Sequence, residues 1–275
     1  MAELPELEYL LKVFERELPG KRIVEAECLI PEQLTMILDG DFAERLTGLK
    51  ITKIRRRGPF LLLRTNGEER IVVNPADEGH FKFPGLGTRR PRTLVFVMHM
   101  EGGPRLWFLD NAKTAMAYLT SKNRLDEVPM LMTQGIDPFG KNFSPERFRR
   151  LLRKDQDSTL RTLLTDQTKI SHIGPIYLDE ILFDAGIHPA AKPADLADDD
   201  LDRLFDSVLN VLESACETIE ERGQPIENCV RDFLKMHGRL GEPCRRCGGK
   251  IKTLKVEAEK AFYCSRCQPR RSASR

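Results

Sequence analysis

The sequence predicts an α+β protein in three parts: a β-rich amino-terminal half, a helical middle and a small metal-bound ribbon at the carboxyl end. Three observations carry this. Period-two apolar patterning broken by turn residues runs to about residue 130, helical spacing follows to about residue 236, and two Cys-x2-Cys pairs lie near the end. A chain of 275 residues with 40% apolar content is long enough for two domains and does not read as disordered.

Leu7, Leu10, Leu11, Phe14 and Leu18 recur at helical spacing after Pro5, and Pro19-Gly20 ends the run, so residues 5–18 are expected to form an amphipathic helix. Residues 21–30, 49–56, 60–64, 71–73, 94–100 and 106–109 instead have β-branched or alternating character, separated by Gly-Pro, Asn-Gly and Glu-Gly-Gly-Pro turns. Asp137-Pro-Phe-Gly and then Ser144-Pro145-Glu146 mark the change to helix, with Ser144 as N-cap and Pro145 at the first helical position. There is no internal repeat, and residues 269–275 read as a frayed basic tail.

Cys244-x2-Cys247 and Cys264-x2-Cys267, sixteen residues apart, form two knuckles, each able to place two thiolates about 2.3 Å from one Zn²⁺. Gly248-Gly249 and the apolar Ile251, Leu254 and Val256 suit a small β-hairpin ribbon. A redox Cys-x2-Cys would need a βαβ context that is absent. Four cysteine ligands leave no position for a catalytic water, so the expected single zinc is structural. The other cysteines, Cys28, Cys216 and Cys229, are read as buried small apolar residues. Seven cysteines, four of them clustered late, fit reduced thiols and a cytoplasmic protein. The longest apolar runs are as short as residues 60–63, and charges stand where a signal peptide would be apolar, so no membrane span is expected.

The net charge of +2 conceals an asymmetry: residues 231–275 hold 13 Lys/Arg against 4 Asp/Glu, or +9, which leaves −7 for the rest. The carboxyl end faces a polyanion, or is a solvated basic tail.

Three stretches carry a family resemblance. They are Ala2-Glu3-Leu4-Pro5-Glu6; Leu164-Thr-Asp-Gln167 with Ile173-Gly-Pro-Ile-Tyr177-Leu-Asp-Glu180-Ile-Leu-Phe183-Asp-Ala-Gly186-Ile-His188-Pro189; and His237-Gly-Arg239 through Cys264-Ser-Arg-Cys267-Gln268. Together they resemble the formamidopyrimidine-DNA glycosylase and endonuclease VIII family over essentially the whole chain. The resemblance implies an amino-terminal β-sandwich flanked by helices over 1–130, a helix-two-turn-helix DNA-binding domain over 131–240, a zinc ribbon over 241–268 and a basic tail over 269–275. It implies duplex or damaged DNA as partner to a monomer near the nucleoid. A repair-protein partner is left unnamed.

In that family the amino group exposed by removal of the initiator Met attacks C1′ of a flipped nucleotide, forming a Schiff base. Carried over, Ala2 supplies the amine, Glu3 moves protons and Glu6 supports it. An α-amine, with an ordinary pKa of about 7.7–8.0, keeps a neutral fraction at physiological pH. Glu3 can alternatively serve only the positive end of the first helix. Tyr177, Leu182 and Phe183 read as core. Arg161, Lys169, His172, Arg239, Arg245, Arg246 and Lys260 are the candidate DNA contacts, with Lys250 and Lys252 nearby, and solvated charge is the alternative for each.

The sequence departs from the family pattern at its anchors. Ala2 replaces Pro; Pro59, Pro175 and Glu259 stand where Lys, Asn and Arg meet phosphate. Asp77-Glu78 and residues 110–115 occupy loops that carry intruding side chains, and an acidic pair is repelled by the backbone. Three functions are therefore weighed: a DNA-binding repair protein with impaired glycosylase and lyase chemistry, an active glycosylase using the Ala2 amine, and a ribbon serving protein or RNA contacts only.

Overall fold

The computed structural model describes residues 2–257 and 259–270. Met1, whose removal the amine chemistry requires, and residues 271–275 of the expected basic tail lie outside the described residues. The chain divides into two compact units, one running through Thr133 with Ile219–Cys229 added, the other comprising Gln134–Thr218 and the residues from Val230 onward. The expected α+β architecture is present.

In the first unit, α1 (Leu4–Glu17) starts at Pro5 in its first turn and ends at Leu18, as its apolar spacing requires. Nine strands follow: β1 (Ile23–Cys28), β2 (Leu34–Met36), β3 (Ile51–Arg57), β4 (Phe60–Thr65), β5 (Glu69–Asn74), β6 (His80–Lys82), β7 (Leu94–Met100), β8 (Arg105–Leu109) and β9 (Met116–Ser121), with the short helix α2 (Phe42–Leu46) between β2 and β3. They form two sheets, ordered β1-β7-β8-β6 and β2-β9-β5-β4-β3, antiparallel except for the β2–β9 pair. Alternation decides the packing. Leu61, Leu63, Ile71 and Val73 share one core with Phe81, Phe96, Met98 and Phe108 of the other sheet and with Leu7, Leu10 and Phe14 of α1. The intervening Phe60, Val72 and Tyr118 pack on the opposite face beneath Val128 and Leu131. Both faces of the five-stranded sheet are thus covered, so β5 is buried at every residue.

In the second unit, α3 (Pro145–Arg153) is capped as expected, the Ser144 hydroxyl accepting from Arg147 N. After it come α4 (Leu160–Thr165), α5 (Pro175–Asp184) and the long α6 (Asp198–Arg222), which crosses the division between units. Tyr177, Leu182 and Phe183 are buried on α5, as expected. So, unexpectedly, are two carboxylates, Asp179 and Glu180. Glu180 accepts the backbone N–H groups of Lys235, Met236 and His237 at 2.8, 2.8 and 2.9 Å. Burial pushes its pKa up, those three bonds oppose the shift, and neighbouring Asp179 adds to it.

The ribbon is the antiparallel pair β10 (Ile251–Val256) and β11 (Glu259–Cys264). Its small core joins Ile251, Phe262, Cys244 and Cys264 to Phe183 and Met236. The four thiols all lie within 4.8 Å of one another, with Sγ–Sγ separations of 3.9 Å for Cys244–Cys267 and 3.4 Å for Cys247–Cys264. Tetrahedral zinc with Zn–S bonds of about 2.3 Å wants ligand sulfurs about 3.8 Å apart, so the four cysteines fit one structural zinc. Crowding fits the same conclusion: burial first, and the neighbouring thiols after it, push Cys267 up to about 12, protons a metal ion displaces. The first knuckle turns at Gly248 with φ +69°, returning Gly248 N to Cys244 O and Cys244 N to Gly249 O. The second is locked by Gln268, fully buried, whose amide accepts from Cys264 N at 3.0 Å and donates to Ile187 O at 2.8 Å.

Arg161 ties α4 to α5 and β11. Its guanidinium meets Asp179 Oδ1 at 2.7 Å, Glu259 Oε2 at 3.2 Å and Lys260 O at 3.4 Å, while the second oxygen of Asp179 takes His237 Nδ1 at 2.7 Å. The residue is 2% exposed, and its guanidinium is neutralised by carboxylates within the protein.

Two outcomes follow from this packing. Elemental analysis of purified protein should return one zinc per chain, and Cys264→Ser or strong chelation should abolish hydrogen-exchange protection over residues 241–268 while β3, β4, β5 and β9 stay protected; an unprotected ribbon with metal bound, or a protected one without it, contradicts the assignment. Arg161→Ala should lower urea stability by about 3–5 kcal/mol by leaving buried Asp179 without its cation and with only His237 bonded to it. Glu259→Ala should cost no more than about 1 kcal/mol, since the Glu259 side chain is 50% exposed. Equal losses would show that the outer pair matters as much as the inner one.

Candidate nucleic-acid interface and amino-terminal site

Glu3 is the N-cap of α1, and Glu3 and Glu6 form a capping box in which the Glu6 carboxylate accepts the Glu3 backbone N–H at 2.9 Å. Both are buried. Glu3 thereby closes the first turn of α1. Ala2 and Glu6 line a pocket of about 170 Å³ in the first unit, closed by the 75–81 turn and the 226–229 segment. That segment is held by Tyr9 OH donating to Gln224 O at 2.7 Å, by Lys12–Glu220 at 2.5 Å and by Lys82–Glu227 at 3.2 Å. Four carboxylates line the pocket, those of Glu6, Asp77, Glu78 and Glu227, and its described lining contains no Lys or Arg. Cys229 is at its rim and exposed, and Cys28 and Cys216 are half-buried, which corrects the reading of all three as buried apolar residues.

The two loops placed where the family carries intruding side chains are tight turns. In the first, Asn74 Oδ1 accepts Ala76 N at 3.0 Å, Ala76 sits at φ +49° and Gly79 N returns to Pro75 O at 2.9 Å. A Cβ on Gly79 would lie 2.4 Å from that carbonyl oxygen, so glycine is required there. Asp77 and Glu78 occupy its exposed tip. In the second, buried Asp110 accepts the backbone N–H groups of Ala112, Lys113 and Ala115 at 3.1, 3.0 and 2.8 Å. Asn111 Nδ2 lies 3.4 Å from Glu78 Oε2 and joins the loops. Neither tip presents a large apolar side chain. Gly58 and Pro59 connect β3 to β4, with Gly58 at φ +54°. The neighbouring cations are engaged: Arg56 with Glu8 at 2.5 Å and Arg57 with Met132 O at 3.2 Å.

Of the other candidate DNA contacts, Lys169 lies 3.2 Å from Asp166 and 3.8 Å from Asp155 on the turn joining α4 to α5. His172, on the same turn, has φ +64° and is 8% exposed, its backbone N–H donating to Gln167 Oε1 at 2.6 Å. Arg239 pairs with Glu242 at 2.5 Å. Arg246 caps the end of α5 through Phe183 O at 3.1 Å and lies over the Phe183 ring at 4.3 Å. Arg245 and Lys260 are exposed, as are Lys250, Lys252 and Lys255. Lys255 and Lys260 face each other across the ribbon, and Lys260 Nζ lies 4.9 Å from the Phe262 ring centre. Glu259, expected to face phosphate, is turned instead to Arg161. Asp110, Asp179, Glu180, His237 and Gln268 had no role from the sequence; a carboxylate inside an apolar helical run such as 177–183 is the one signal that marks a buried partner. No described helix is long and apolar enough to cross a membrane.

Family models match along the chain. The formamidopyrimidine-DNA glycosylase N-terminal domain matches residues 1–116, the H2TH domain of the same family residues 134–224, and the zinc finger found in FPG and IleRS residues 241–270. The formamidopyrimidine-DNA glycosylase of Symbiobacterium thermophilum is 31% identical over 98% of this chain and 90% of its own length, and that of Pelotomaculum thermopropionicum is 29% identical over 98% and 99%. Among solved structures, Lactococcus lactis Fpg in complex with DNA containing an abasic site superposes with a TM-score of 0.87 at 26% identity, covering 98% of this chain and all of that one. The same enzyme non-covalently bound to AP-site DNA gives 0.83 at 27%, with the same coverage. With a sheet domain, an H2TH domain and a four-cysteine zinc finger matched in order along its length, this chain belongs to the formamidopyrimidine-DNA glycosylase and endonuclease VIII family.

Proposed function

We propose that this chain is a zinc-containing, DNA-binding repair protein, monomeric and cytoplasmic, that holds duplex or damaged DNA while the excision chemistry of its family is impaired. One observation supports the impairment most directly. The pocket beside Ala2 is lined by four carboxylates and by no Lys or Arg among its described residues. A nucleotide entering it brings phosphates toward negative charge. Removal of Met1 leaves the Ala2 amine at the same rim, where nearby carboxylates favour the ammonium form and reduce the neutral fraction that could attack C1′. Proline at 59 and 175 offers no N–H to phosphate, and Glu259 offers a negative charge.

Binding is assigned to the exposed cations of the ribbon, Arg245 and Lys260 with Lys250, Lys252 and Lys255, and to Lys169, Arg239 and Arg246. Arg161 and His172 support them from within. These side chains suit backbone contact, which is independent of sequence and sensitive to salt.

A second reading, an active glycosylase or lyase, is favoured by one feature: Glu3 and Glu6 are retained side by side at the start of α1, with Ala2 and Glu6 on the pocket. Borohydride trapping on oligonucleotides carrying an abasic site, a formamidopyrimidine or an oxidised pyrimidine separates the two, once intact mass has shown whether Met1 is removed. The binding reading expects duplex affinity that falls steeply with salt, and covalent adduct at most about 1% of that from an active relative, consistent with the roughly 100-fold losses that misplacement alone can cause. Trace adduct should rise between about pH 7 and 9 as the amine loses its proton. Abundant adduct at neutral pH that Glu3→Gln abolishes would establish the enzyme instead, and absence of any nucleic-acid affinity would end both readings.

A further inference from the structure

The helix α3 divides its cations between two faces. Arg149 meets Asp202 at 3.2 Å, and Arg153 meets Asp198 at 2.8 Å as well as the carbonyls of Pro193 and Leu196 at 2.7 and 2.8 Å. That row holds α3 to the acidic start of α6. The other row, Arg147, Arg150 and Lys154, is exposed, and none of the three has a carboxylate within ion-pairing distance among the described residues. The spacing of three and then four residues puts them on one face, over a rise of about 10 Å.

This row forms one side of an open groove of about 620 Å³, to which Lys141 and Lys169 also contribute. The groove's opposite wall is built, not draped. Gly135 N donates to Gln167 O at 2.8 Å, Ile136 N donates to Lys169 O at 3.0 Å, and Ser171 N donates back to Ile136 O at 3.0 Å. Gly135 runs so close that a Cβ would lie 2.3 Å from the Lys169 carbonyl carbon. The 134–140 segment is thereby fixed to the turn between α4 and α5. Two carboxylates line the groove, and both are committed to local turns: Asp137 accepts Phe139 N at 3.0 Å, and Asp155 accepts Ser158 N and Oγ at 3.0 and 2.8 Å. Lys169 is shared between Asp166 and Asp155, so four cations remain: Lys141, Arg147, Arg150 and Lys154.

We propose that this groove is a second phosphate-backbone site, which takes the strand of a bound nucleic acid beyond the turn carrying Lys169. The inference rests on the DNA-binding reading above and extends it to a surface outside the ribbon. Over about 10 Å of duplex axis each strand carries about three phosphates, enough to engage a row of three cations. Like charges at these spacings repel one another along a helix, and a polyanion relieves that repulsion. Continuity with the α4–α5 turn favours nucleic acid over an acidic protein segment.

The test uses the full-length, zinc-loaded chain and a variant combining Arg147→Ala, Arg150→Ala and Lys154→Ala, compared on a short duplex and on one extended at both ends. Zinc content and urea midpoint of the variant should equal those of the parent. On the extended duplex its salt slope should flatten by about 2 to 3 and its affinity should fall at least tenfold at about 0.1 M salt; on the short duplex both should hold. A lysine version of the two arginine changes should recover the slope. A second variant, Arg245→Ala with Lys260→Ala, should lose affinity for both duplexes. If that variant weakens while the α3 variant matches the parent on every duplex, the groove is not a backbone site and the DNA-binding reading stands. A parent chain without duplex affinity overturns both. Selective capture of polyglutamate by the parent, lost in the α3 variant with DNA binding intact, would assign the groove to an acidic polypeptide and overturn the proposal.

Discussion

Burying a carboxylate is unfavourable unless N–H groups or a cation receive it, and α5 buries two in succession. Asp179 is received by Arg161 on one oxygen and His237 on the other, and Glu180 by three consecutive backbone N–H groups at residues 235–237. The consequence is geometric. The segment leading into the ribbon is held at one end by these carboxylates, and the ribbon at the other by the four thiols and by Gln268 bonded to Ile187 O. Between those attachments the ribbon core contains only a few apolar side chains, too few to fold a segment of this size alone. Metal and buried carboxylates supply what apolar area cannot.

The same accounting explains how cations in the second unit are distributed. Those near buried carboxylates or helix ends, Arg161, Arg153 and Arg246, are consumed in holding the fold. The ones left over lie on the ribbon and on the outer face of α3, where nothing in the described chain neutralises them. In the first unit the balance is reversed: basic side chains near the amino-terminal site are paired, as Arg56 is with Glu8 and Lys82 with Glu227, while Asp77 and Glu78 stand exposed on the turn. Unneutralised positive charge thus lies on the second unit, and unneutralised negative charge lies beside the amino-terminal pocket.

Much of this was legible in the chain. Pro5 and the spacing of Leu7, Leu10 and Phe14 fixed α1 to within a residue at each end, the two Cys-x2-Cys pairs located the metal, and the alternation at 60–64 and 71–73 gave central strands. The strand at 116–121 escaped notice, although it is the partner of β5, because its Ala-Tyr-Leu-Thr pattern mixes polar with apolar residues and its polar ones are buried too. Charge was the harder matter. A sequence records that Arg161 and Glu259 exist, and not that a fold brings residues 98 positions apart to 3.2 Å. Local capping by Ser144 and Pro145 was readable because its partners are three residues away; ion-pair choice depends on tertiary approach and was not.

The Arg161–Glu259 contact also changes how the loss of a phosphate anchor at position 259 is understood. Opposite a phosphate, an exposed carboxylate is repulsive; opposite a buried guanidinium, it adds a second partner to a charge already held by Asp179. Glu259 is half-exposed and turned to Arg161, and its neighbour Lys260 is also exposed, its ammonium over the Phe262 ring. Lys260 and Lys255, paired across the ribbon, remain as exposed positive charge beside Glu259. Contacts to phosphate are independent of sequence, whereas attack at one sugar carbon requires a fixed register, so the proposed binding and the family's chemistry make different demands on this surface.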